Sequence, residues 1–154
     1  MSDTYEDDET PNRVPPHNTA AERSLIGAWL LSTAARAHHV DPDDFYHSHH
    51  RHIARAITDL EQAGHPVDHV TVNDQLERTG RLAACGGPST LASLIADVPA
   101  TTSAGRYADI IERDAYERRL LRACADLTEA LYALDPDEQN TAARRLVELI
   151  AEQP

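Results

Sequence analysis

Residues 103–152 read SAGRYADIIERDAYERRLLRACADLTEALYALDPDEQNTAARRLVELIAE, and this stretch decides the fold. After Gly105 neither Gly nor Pro interrupts the pattern before Pro136, which predicts one helix over residues 104–134 with Ser103 placed to cap it. Such a helix is about 45 Å long at 1.5 Å per residue, too long for a small compact head. Within it Leu120, Cys124, Leu127, Leu131 and Leu134 step by four and three, the seam of a helix that packs lengthwise on another helix. Asp135-Pro136-Asp137-Glu138 then supplies an N-cap, a proline at the first helical position and a glutamate at the third, so a second helix starts at once. Its apolar residues Ala143, Leu146, Val147 and Ile150 are expected to face back on the first. The second helix is about half as long as the first, so part of the first must meet the rest of the chain and part another subunit.

Working back toward the N-terminus, Thr19-Ala20-Ala21-Glu22 reads as a capping box opening a helix with Leu25, Ile26, Trp29 and Leu30 on one face. An alanine-rich segment over 33–38 leads to the turn Asp41-Pro42-Asp43-Asp44, with Phe45 and Tyr46 as anchors. A second helix is predicted over residues 47–63, carrying Ile53, Ile57 and Leu60 and stopped by Gly64 and Pro66. Thr71 to Asp74 offers a cap for a third helix through Leu76, ended by Gly80. Gly86-Gly87-Pro88 turns into a fourth with Leu91, Leu94 and Ile95, which stops before Pro99. The chain is therefore expected to be all-α: an acidic, disordered tail over 1–13, a small globular multi-helix head over 14–102, and a long antiparallel helical hairpin over 103–152.

Composition narrows the function. The chain has 154 residues, 41% hydrophobic and 5% aromatic, enough for one core without disulfides or metals. The net charge is −12; Asp3, Glu6, Asp7, Asp8 and Glu9 supply five of those charges, and removing them leaves −7. A body of that sign is repelled by phosphate backbones, so direct DNA binding is not expected. Only Cys85 and Cys124 occur, which gives neither a disulfide framework nor a cysteine zinc site. No apolar run approaches membrane-spanning length, and a soluble, cytoplasmic protein is expected.

All 14 basic residues are arginine, so the P-loop G-x-x-x-x-G-K-[ST] is absent from these residues. His38, His39, His47, His49, His50 and His52 cluster, and His49 and His52 would share a helical face, which invites a metal reading. No cysteine or tightly spaced carboxylate completes a ligand set, and the cluster is read as a partly packed helix. Asp43/Asp44 and Glu112/Asp114 are read as solubilising pairs rather than acid–base dyads. No catalytic residue, metal ligand or cofactor is therefore assigned. Thr71 to Leu94 holds two short helices around a turn, which keeps a helix-turn-helix DNA-binding regulator as the alternative, although the connection from Gly80 to Pro88 exceeds the usual three or four residues.

The order of signals is itself informative. V-P-P-H-N comes first (Pro15, Pro16, His17), followed by Glu22 and an L-x-G-x-x-L around Gly27. Phe45 precedes His50 and Arg51, and G-x-P-V-D places Gly64, Pro66 and Asp68. Leu76, Gly80 and Leu82 lead to Gly86-Gly87 with Leu91 and Leu94, then Pro99, Tyr107-Ala108 and Arg119-Leu120. Over residues 14–121 this order resembles the N-terminal collar domain of DnaB-type replicative DNA helicases. The resemblance implies hairpins that pair into dimers and dimers that assemble on a hexameric ring, with a collar facing primase and loading factors. In that family ATP hydrolysis belongs to a C-terminal RecA-like domain, which has no counterpart in these residues. The expectation is a stand-alone, non-catalytic interaction module in DNA replication, a homo-oligomer (a dimer or a trimer of dimers) whose partners are a replicative helicase or primase. Leu120, Cys124, Leu127, Leu131, Leu134, Leu146 and Ile150 are the expected interface. Glu22, Gly27, Phe45, His50, Asp68, Gly86, Gly87 and Tyr107 are the expected structural motif.

Overall fold

A computed structural model describes residues 14–152, so the acidic segment 1–13 lies outside the described residues. Six helices follow one another: α1 (Thr19–Leu31), α2 (Ser48–Gln62), α3 (His69–Arg78), α4 (Pro88–Ala96), α5 (Ala104–Ala133) and α6 (Pro136–Ala151), and no strand occurs among the described residues. Short 3₁₀ turns at Ala35–Ala37, Pro42–Asp44, Ala83–Cys85 and Thr101–Ser103 join them. The all-α head with a long hairpin is the architecture read from the sequence.

Local chemistry sets where the helices start, and two starts differ from expectation. Asn18, not Thr19, caps α1, its side chain accepting from Ala21 N at 2.9 Å. The Thr19 hydroxyl is instead 2.8 Å from His47 Nε2, and Glu22 turns inward, so the expected capping box does not form. For α3 the cap moves upstream. Asp68 accepts from Val70 N and Thr71 N while the Thr71 hydroxyl accepts from Asp68 N, a reciprocal box three residues before the predicted start. Gly86 and Gly87 take φ of +86° and +78°, a turn that L side chains resist, and deliver Pro88 to the first position of α4. Ser103 precedes α5 but its hydroxyl makes no capping bond. Asp135 caps α6 as predicted, accepting from Asp137 N at 2.9 Å.

The head is organised around Leu25, Ile26, Phe45, Ile53, Ile57, Leu76, Leu91 and Leu94, all essentially inaccessible to solvent. Trp29 meets Phe45 edge-on at 5.9 Å between ring centres. Gly27 lets α1 and α4 touch: a Cβ built there would stand 2.2 Å from Leu94 O. The first half of α5 completes this core through Ala104, Ala108, Ile111 and Ala115, with Tyr107 half-buried against it. The second half of α5 leaves the head and α6 runs back along it.

Candidate functional site

Inside the hairpin the contact is made by small residues. Ala123 and Ala130 of α5 are buried, Tyr116 and Leu127 are half-buried beside them, and α6 answers with half-buried Ala142, Ala143, Leu146 and Leu149. The Tyr116 hydroxyl donates to Leu149 O at 3.2 Å, which pins the end of α6 to the middle of α5. The leucine row is therefore not the inner seam. Leu120 and Leu127 are shared with it, while Cys124 is exposed and Leu131 and Leu134 are 53% and 80% exposed. On α6 Val147 and Ile150 do not face back either; they are 65% and 55% exposed.

These exposed residues have a common place. About 100° of rotation per residue sets Leu120, Cys124 and Leu131 one flank away from the Ala123–Ala130 row. The antiparallel run of α6 brings Ala143, Val147 and Ile150 to that same flank. The opposite flank holds a shallow groove in which Asp126, Glu129, Asp137, Glu138, Thr141 and Arg145 stand around a floor of alanines (Ala123, Ala130, Ala133 and Ala142), with an Arg145–Asp126 ion pair at 3.6 Å. The hairpin thus has one apolar and one charged face. The head lies against α5 on the side away from the apolar one. Ala123, Ala130 and Leu149 were missed by the sequence reading; the signal was the seven-residue spacing of the alanines.

Two residues of the expected structural motif, Glu22 and His50, meet inside the head. Glu22 is buried; its Oε1 accepts from Tyr46 N at 2.6 Å, while its Oε2 lies 2.7 Å from His50 Nδ1 and accepts more weakly from His47 N at 3.4 Å. Burial alone would raise the Glu22 carboxyl, but the His50 and Tyr46 hydrogen bonds outweigh it and hold the group below its ordinary value. Around this pair His17 stacks on Tyr46 at 4.1 Å and His47 packs edge-on to His50 at 5.3 Å. Burial depresses His47 and His49, and for His49 the neighbouring His50 depresses it further. No group of three His, Cys, Asp or Glu side chains is arranged to hold a metal among the described residues. Asp114 pairs with its neighbour Arg113 at 2.8 Å; Asp43 and Asp44 both line a cleft beside α5, but Asp43 pairs with Arg55 at 2.8 Å and Asp44 with Arg119 rather than with each other as a dyad.

The helices α3 and α4 are separated by residues 79–87, which include a 3₁₀ turn, rather than by the tight turn of a helix-turn-helix unit. No helix among the described residues is long and apolar enough to cross a membrane.

An all-α head joined to a long helical hairpin is the architecture that the described residues define. The chain belongs to the DnaB-like helicase N-terminal domain family, whose model matches residues 14–113. It is 39% identical over 129 residues to the "Replicative DNA helicase DnaB" of Leifsonia xyli subsp. xyli, covering 82% of this chain and 28% of that protein. It is 40% identical over 124 residues to the protein of the same name from Mycobacterium leprae, covering 79% of this chain and 20% of that one. The chain thus spans less than a third of the length of these relatives, and the matched part is the N-terminal domain alone. Among solved structures, the N-terminal domain of DnaB helicase from Mycobacterium tuberculosis superposes with a TM-score of 0.82 at 36% identity, over 87% of this chain and 99% of that one. A DnaB-like replicative helicase studied for its interactions with primase shares the fold at a TM-score of 0.71 and 22% identity, over 86% of this chain and 31% of that one. None of these comparisons supports the helix-turn-helix alternative.

Proposed function

We propose that this chain is a non-catalytic interaction module of DNA replication in the cytoplasm. Its head (14–102) and hairpin (103–152) act as a collar unit that self-associates through the hairpin and presents the assembled surface to a replicative helicase or primase. The observation that carries this reading is the apolar flank bearing Cys124, Leu131, Val147 and Ile150, exposed in the single chain. A second copy is the partner that fits it. An isologous pairing about a two-fold axis lays each apolar flank on its own counterpart, and dimers of that kind are the building block of the family's collar. Primase or the helicase then meets a surface that exists only in the assembly.

The test is the solution mass by light scattering over a concentration series. The native chain is expected to be a dimer or a multiple of one, and Leu131→Asp combined with Val147→Asp is expected to be a monomer with unchanged far-ultraviolet circular dichroism. A native chain that stays monomeric at its highest soluble concentration overturns the proposal. Failure of the monomeric variant to bind helicase, set against binding by the native chain, would tie the partner to the assembly.

A further inference from the structure

Aromatic rings crowd the place where residues 14–18, the 43–47 turn and the start of α2 meet. His17 stacks on Tyr46 at 4.1 Å and stands edge-on to His47 at 5.6 Å. His47 lies 5.3 Å from both His49 and His50, and His49 lies 4.2 Å from His50, all between ring centres. Neighbouring imidazoles in such a cluster titrate together, because a proton on one ring raises the cost of a proton on the next.

The surroundings add to that cost. α2 opens with Ser48-His49-His50-Arg51 behind His47, whose side chain makes no capping bond, and no acid stands in its first turn. A cation there meets the positive pole of the helix macrodipole. From α1, Glu22 is the carboxylate that faces the cluster, and the Tyr46 N–H, the His47 N–H and the His50 ring already share it. From the turn, Asp44 is paired with Arg119. From α5, the Arg118 guanidinium stands 5.6 Å from the centre of the Tyr46 ring. The Cys85 thiol reaches only the His49 carbonyl, at 3.7 Å. Burial is the largest influence on His47 and His49, and it depresses both. His50 and His17 depress His47 further, and His50, His47 and Arg23 do the same to His49, while Glu22 opposes them at each ring.

The same contacts hold the head to the hairpin. Arg118, from the middle of α5, donates to Pro16 O at 2.8 Å and to Asp44 O, so it grips both segments at once. The Thr19 hydroxyl, 2.8 Å from His47 Nε2, ties the start of α1 to the start of α2. Loosening residues 14–18 and 43–47 takes away what Arg118 holds.

We propose that this histidine cluster is a proton-sensitive latch: proton uptake by His47 and His49 opens residues 14–18 and 43–47 away from α1 and α2 and slackens the joint between head and hairpin. The latched form favours neutral rings. It is therefore complete above the ordinary histidine value of about 6.5 and opens as pH falls through the lower values of the folded chain. The opening equilibrium grows by up to about tenfold per pH unit for each proton taken up.

The test is native-state amide hydrogen exchange on the full chain from pH 7.5 to pH 5, with each rate corrected for the intrinsic pH dependence of exchange. The amides of Tyr46, His47 and Arg51 report the latch, since they bond to Glu22 and to His47 O. Those of Ile26, Ala28 and Trp29 in the middle of α1 report global unfolding. Protection of the first set is expected to fall at least about tenfold more than that of the second, and the amide resonances of Ala115 and Arg118 on α5 to shift with the same midpoint. His47→Gln with His49→Gln should hold the first set level across the range. Imidazole carbon shifts of the native chain test the latch without any substitution: His47 and His49 are expected to titrate below about 6.5, and values at or above it overturn the proposal. Equal loss of protection in both sets also overturns it, because only global unfolding would then remain. So do α5 resonances that stay still, since the latch would not reach the joint.

Discussion

At Gly27 one hydrogen atom decides how closely two helices approach. A methyl group there would meet Leu94 O at 2.2 Å and Val98 Cγ2 at 2.3 Å, and a carbonyl of the α4 backbone cannot rotate aside. Gly27→Ala is therefore expected to cost at least about 2 kcal/mol despite the better helix propensity of alanine. Thermal denaturation should show it as a midpoint lower by roughly 5 °C or more. The buried carboxylate behaves differently, because its value lies in what it leaves unpaired. Glu22→Ala strands the Tyr46 N–H and the inaccessible His50 ring, at a cost of about 2–4 kcal/mol that urea denaturation would read. Glu22→Gln keeps one acceptor and should cost less. The histidines near this pair give the head a pH dependence of definite sign. His47 and His49 are depressed in the folded chain, so the unfolded chain takes up protons first as pH falls below about 6.5. Their contribution is complete above that pH and is lost as pH falls through the folded values; Glu22, also depressed, adds a further loss at lower pH. The urea midpoint should accordingly decline from pH 7 to pH 5, and His47→Gln with His49→Gln should flatten that decline. The sequence marked Gly27, Glu22 and His50 as positions of a family pattern. It could not give their partners, since Leu94 and Tyr46 reach them only through the tertiary fold.

The elements were legible to different depths. The start of α6 followed from Asp135-Pro136 because a cap is a matter of three adjacent residues, and the length of α5 followed from the absence of Gly and Pro. The face of α5 that α6 covers did not follow, because periodicity ranks leucine above alanine whereas a close helix pair accepts small residues at its centre. Asn18 and Thr19 are both good caps, and the choice between them fell to His47, 28 residues away. The link between the two hairpin helices carries its own consequence. Leu134 sits at φ +58°, the only non-glycine residue with positive φ among the described residues, where a side chain costs about 1 kcal/mol. It is 80% exposed, so the single chain loses little burial without it. Leu134→Gly should raise the unfolding free energy of the monomer by about 0.5–1 kcal/mol. If the apolar flank is the dimer surface, the same substitution should weaken self-association, and the two effects separate when the melt is followed against protein concentration.

On the scale of the whole molecule, charge and apolar surface act on self-association in opposite directions. Each copy carries −12, so two copies brought flank to flank repel one another while Leu131, Val147 and Ile150 leave water. Salt screens the repulsion and leaves the apolar term almost untouched, since added ions shorten the Debye length from about 30 Å at 0.01 M to about 8 Å at 0.15 M. Self-association through the apolar flank should therefore tighten with salt, on the order of a few-fold across that range. Binding to a phosphate backbone has the opposite sign: each arginine that neutralises a phosphate releases a counterion, and affinity falls steeply with the same salt increase. Self-association through the hairpin belongs with the first behaviour. Sedimentation equilibrium of the chain alone at 0.01 M and 0.15 M NaCl checks this directly. A dissociation constant that falls between the two conditions places the contact on the apolar flank. One that rises means that charge pairing, rather than the apolar flank, holds the copies together.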